Sequence, residues 1–94
     1  MEIVWRQVAL DSLERARACI AQDDPAAAER VRERILGAVR NLADMPNIGR
    51  PGRVEDTREL VVAGTPYIVA YTVLDDQVAV IAVQHSAHKW PDRF

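Results

Sequence analysis

The chain has one cysteine, one lysine, few aromatic side chains and no long apolar run. Each scarcity excludes something. A lone Cys19 allows no internal disulfide framework, so the reading is a reducing compartment, the cytoplasm. With aromatics at 5%, the core has to be built from aliphatic side chains. No stretch approaches the length of a membrane span. The opening "MEIVWRQVAL" has neither the basic start nor the apolar centre of a secretory leader. A basic excess is missing too: the formal net charge is −2. Proteins that live on bare nucleic acid need surplus Lys and Arg against the phosphates. His85 and His88 are the only histidines, and no cysteine lies near them, so no metal site is expected. No glycine-rich loop of the nucleotide-binding kind is present, and nothing calls for a cofactor.

What is there reads as one globular domain over residues 1–94, with 49% apolar and 28% charged residues. The cations are almost all Arg, which favours planar, bidentate contacts over diffuse attraction. Residues 2–7, "EIVWRQ", predict a short strand. "VALDSLERARACIAQ" places Leu10, Leu13, Ala16 and Ile20 at helical spacing, with Cys19 expected as a small buried hydrophobe. In "DDPAAAERVRERILGAVRNLADMP", Asp24 can cap and Pro25 fits the first helical position. Val31, Ile35, Val39 and Leu42 form its apolar stripe, and Gly37 suggests close approach of the neighbouring helix. Two such helices with a short connection predict an antiparallel hairpin.

Residues 47–57, "NIGRPGRVEDT", are the loop of greatest length. Three strands follow: "RELVVAG", "PYIVAYTVL" and "QVAVIAVQH". Gly64 and Thr65 make one reversal and Asp75 and Asp76 the next, so these pair as an antiparallel meander. Strict alternation in the last strand puts Val78, Val80, Ala82 and Gln84 on one face and Ala79, Ile81, Val83 and His85 on the other. Neither face is polar, which predicts a central strand covered on both sides. The helical hairpin covers one face; a partner chain is the economical cover for the other.

This order of elements resembles the RelE/ParE superfamily of type II toxin–antitoxin toxins. The resemblance spans nearly the whole chain. It rests on "ADMPNIGRPGRVEDTRELVV" for the end of the second helix, the loop and the next strand, on "PYIVAYTV" for the central strand, and on "IAVQHSAHKWP" for the close. The fold it implies is α+β: an N-terminal strand, a helical hairpin, then a three-stranded antiparallel meander with the helices on one face of the sheet. It also implies a cytoplasmic bacterial growth inhibitor neutralised by a cognate antitoxin, which normally supplies any DNA binding of the complex. One branch of the superfamily cleaves mRNA on the ribosome, and the other poisons DNA gyrase without catalytic residues.

Carried over position by position, the resemblance makes His88 the acid or base of a metal-independent ribonuclease, if the chain is one. Arg50, Arg53 and Arg58 are the candidate phosphate or target contacts. Arg58 is flanked by Asp56 and Glu59, and an arginine so placed at a strand start is more often solvated or ion-paired. His85 reads as a partly buried, hydrogen-bonded histidine, with a partner-binding role as the sharper option. Trp90 reads as a cover for the open sheet face, or as an anchor for a protein partner. Two departures weigh against the ribonuclease: Tyr67 stands where that branch commonly has an arginine, and Phe94 stands where it commonly has a tyrosine. The reading therefore leans to gyrase inhibition. The alternatives are a ribosome-dependent mRNA endonuclease, or an inactive member that only binds antitoxin and represses its own promoter.

Overall fold

A computed structural model describes residues 1–87, 90 and 91. Its elements are β1 (Glu2–Trp5), α1 (Gln7–Ala21), α2 (Pro25–Arg40), a 3₁₀ turn at Asn41–Ala43, β2 (Arg50–Pro51), β3 (Arg58–Val61), β4 (Tyr67–Leu74) and β5 (Gln77–His85). They form an α+β fold around one mixed sheet in the order β1-β5-β4-β3-β2. The meander is antiparallel, while β1 runs parallel to β5. That parallel pairing requires a crossover, and the α1–α2 hairpin is that crossover.

Local chemistry accounts for the element boundaries. Asp24 accepts the Ala27 N–H at 3.0 Å and Pro25 opens α2, as the capping pattern predicts. Gly64 adopts φ +77°, which turns the chain between β3 and β4. The loop after α2 contains a short strand the sequence did not suggest: Arg50 pairs with Glu59 and Pro51 with Arg58.

The helices pack on one sheet face. Ala9, Leu13, Ala16, Ile35 and Val39 meet Val62, Tyr67, Val69, Val80 and Val83 there. Leu42, Tyr71 and Val78 close one end of that layer. The opposite face carries a smaller cluster of Ile68, Ala70, Ala82 and Trp90, with Ile81 against it. Trp90 thus covers part of that face from within the chain.

Several expectations need correction. Leu10 is 42% exposed, because the buried stripe of α1 runs through Ala9, Ser12, Leu13 and Ala16. Cys19 is exposed although it shares the Ser12 and Ala16 side of α1, because it lines the open cleft there near the end of the helix. At Gly37 an added Cβ would meet only the Arg40 guanidinium, at 3.5 Å, so no close helix approach depends on this glycine. The strict alternation in β5 fails at Ile81. Tyr71 pairs with Val80 and Ala70 with Ala82, leaving Ile81 as an extra residue in a bulge. Val80 and Val83 therefore both face the helices, three positions apart.

Ser12 stabilises the strand beyond that bulge. The β1 ladder ends at Val80, and the Val83 N–H donates instead to the Ser12 hydroxyl at 2.9 Å. The same hydroxyl donates to the Ala9 carbonyl, also at 2.9 Å. A buried N–H is satisfied by a side chain from the packed helix.

Candidate functional site: an arginine cluster on a buried glutamate

The strand register brings Glu59 onto the face away from the helices, opposite Ala70 on β4 and Arg50 on β2. Its carboxylate is 3% exposed and surrounded by donors. Arg50 donates from Nε at 3.2 Å and Nη2 at 3.0 Å to Oε1. Arg53 donates its backbone N–H at 2.8 Å and its Nε at 3.2 Å to Oε2. Burial alone would push the Glu59 carboxyl up. The Arg53 N–H and the two guanidiniums outweigh it and hold the group below its ordinary value.

Arg53 also lies over the Trp90 ring, 4.0 Å from its centroid. Glu59, Arg53 and Trp90 therefore form a continuous stack from the sheet to the C-terminal segment. Gly52 allows the tight return that makes this possible: its N–H donates to the Thr57 carbonyl at 2.7 Å, and a Cβ there would collide with Thr57.

Arg58 points the other way. Its Nη1 donates to the carbonyls of Gly49 at 2.7 Å and Asn47 at 3.3 Å, so it binds loop backbone while staying partly exposed, with no ion pair among the described residues. Tyr71 holds the same loop. Its hydroxyl donates to the Pro46 carbonyl at 2.7 Å and accepts the Gly49 N–H at 3.0 Å. An added Cβ at Gly49 would sit 2.6 Å from that hydroxyl, which explains the glycine.

The candidate residues thus separate. Arg50, Arg53 and Trp90 come together around Glu59, while Arg58 serves the loop. His85 lies at the far end of β5, on the helix side, with its ring edge-on to Tyr67 at 5.4 Å. Its Nδ1 accepts the Ala87 N–H at 3.1 Å, the partly buried, hydrogen-bonded histidine that was anticipated. The His88 assignment falls outside the described residues. Glu59 was not singled out from the sequence, where it counted only as an acid flanking Arg58. The signal was in the strand itself: Leu60 and Val62 face the helices, so Glu59 must face the sheet's other side.

In chemical terms this cluster is a latch whose carboxylate offsets one of two guanidinium charges. Two arginines share one carboxylate, each with roughly half its side chain still exposed. Their donors have a resident acceptor, which competes with any incoming phosphate.

Comparison with known proteins agrees with this architecture. The family model described as the ParE toxin of the type II toxin–antitoxin system, parDE, matches residues 3–90. A toxin named Y4kP, from Sinorhizobium fredii, is 47% identical over 89 residues, covering 95% of this chain and 92% of its own. Toxin RelE2 of Caulobacter vibrioides is 37% identical over 86 residues, covering 92% of this chain and 96% of its own. A solved chain from the chromosomal ParDE TA system of P. aeruginosa matches with a TM-score of 0.80 at 19% identity, over 90% of this chain and 95% of that one. At that identity the last likeness speaks for the fold alone. The chain belongs to the ParE toxin family of type II toxin–antitoxin systems, within the RelE/ParE superfamily.

Proposed function

We propose that this toxin inhibits growth by binding a protein target, DNA gyrase, and that a cognate antitoxin neutralises it. The observation that carries the gyrase reading is the engagement of the three candidate arginines. Arg50 and Arg53 are tied to Glu59, and Arg58 is tied to loop carbonyls. Cleaving RNA in place requires cations aimed at the phosphate as charge develops. Here the planar donors already have acceptors inside the fold. Tyr67 supports the same view, since it is buried in the helix-side core and supplies no cation at the position where the nuclease branch carries one. The net charge of −2 also suits a protein target better than the RNA-rich ribosome.

A ribosome-dependent endonuclease keeps one specific support: the outer halves of Arg50 and Arg53 remain exposed on the sheet face. Under that reading His88 is indispensable. Under ours, His88→Ala keeps its toxicity in cells induced without antitoxin. A folded but harmless His88→Ala protein would overturn the gyrase proposal.

A further inference from the structure

Away from the arginine cluster, a cleft of about 280 Å³ opens between α1 and the adjoining ends of β4 and β5. Arg15, Tyr67, Gln84 and His85 give it polar walls, and Ala16 and Val83 an apolar one. Tyr67 is only 7% exposed, yet its hydroxyl has no hydrogen-bond partner among the described residues. The hydroxyl itself is open to the cleft, where its donor can meet an incoming acceptor. The ring is held in place. It is wedged into the core, edge-on to His85, and its backbone N–H is fixed to the Thr65 hydroxyl at 3.1 Å.

Arg15 supplies the second, independent observation. It is exposed and has no carboxylate partner among the described residues. Its neighbour Arg17, by contrast, pairs with both Glu14 and Glu29. The cleft thus combines a solvent-open hydroxyl donor, a guanidinium with no carboxylate partner among the described residues, and an apolar wall. Its complement is an acceptor with a negative charge on a short apolar stem. The volume is at the small end for ligand pockets and matches a single side chain better than a whole small molecule.

We infer that this cleft receives an acidic side chain of the antitoxin, whose carboxylate accepts from the Tyr67 hydroxyl and the Arg15 guanidinium while its methylene stem lies on Ala16 and Val83. The inference rests on the reading of the chain as an antitoxin-neutralised toxin. It adds the place and chemistry of one anchoring contact.

The test is calorimetric titration of the purified toxin with its cognate antitoxin, using wild type, Tyr67→Phe and Arg15→Gln, alongside thermal unfolding of each toxin alone. Each variant should bind roughly tenfold or more weakly, as expected for loss of a hydrogen bond to a charged group. Tyr67→Phe should unfold at the wild-type temperature, because the hydroxyl bonds nothing in the described fold. In double-mutant cycles against the antitoxin's Asp and Glu residues, one acid should lose its effect once Arg15 is replaced. Wild-type affinity in both variants, or losses that simply follow a fall in unfolding temperature, would overturn the cleft assignment alone. Failure of the antitoxin to bind wild-type toxin would overturn the antitoxin reading beneath it.

Discussion

The Arg53 guanidinium lies 4.0 Å above the Trp90 ring centre while its Nε donates to Glu59. One side chain thereby joins β3 to the segment that follows β5. A cation held flat on an indole by a buried carboxylate is worth more than either contact alone, because each fixes the geometry the other needs.

Replacing the carboxylate tests this arrangement. Glu59→Gln keeps the shape but turns one oxygen into a donor facing two guanidiniums. We expect a loss on the order of 2 kcal/mol in unfolding free energy by denaturant titration, a moderate figure because both arginines are partly solvated. Trp90 fluorescence should change in the same variant. Trp5 is the other tryptophan, so Trp5→Phe in the background isolates the signal.

The pH dependence follows from the same group. The folded-state value for Glu59 is depressed, so its contribution is fully present above the unfolded carboxylate value and is lost as pH falls through the lower, folded one. Wild-type stability should therefore drop in that acid window more steeply than Glu59→Gln stability. Parallel curves for the two proteins would contradict the latch.

Tyr71→Phe probes the second anchor of the loop. Burial raises the Tyr71 phenol, and the hydroxyl serves both Pro46 and Gly49. Removing it strands a buried Gly49 N–H, at a cost of about 1–3 kcal/mol. Amide hydrogen exchange at Gly49 should quicken in the variant.

Gly37→Ala should do the reverse. The position is helical and a Cβ would meet only the Arg40 guanidinium at ordinary contact distance. Stabilisation of up to about 1 kcal/mol is expected, which raises the melting temperature by roughly 4–8 °C in a chain of this size. Differential scanning calorimetry reads it directly.

How far the sequence could be read depended on whether the information was local. Asp24 and Pro25 announce α2, and Gly64 and Asp75–Asp76 announce the turns, because caps and reversals are set within a few residues. Apolar periodicity supplied the order of strands and helices, and the resemblance supplied the fold they build. The bulge at Ile81 was invisible, since a run of Val, Ile and Ala offers no polar residue to mark a change of face. Leu10 was misplaced because α1 buries small residues, Ala9, Ser12 and Ala16, against the sheet. Hydrophobicity gives such a helix little preference among its faces. The Glu59 latch was hidden for a different reason. Its partners are six and nine residues away across a loop, and only the β2–β3 register brings them together.

The most direct test of the account is induction of the wild-type gene without antitoxin, with DNA breaks and transcript ends assayed in the same cultures. Gyrase inhibition predicts arrested growth, DNA breaks and intact transcripts. Cleaved transcripts without DNA damage, or no growth defect at all, would contradict it.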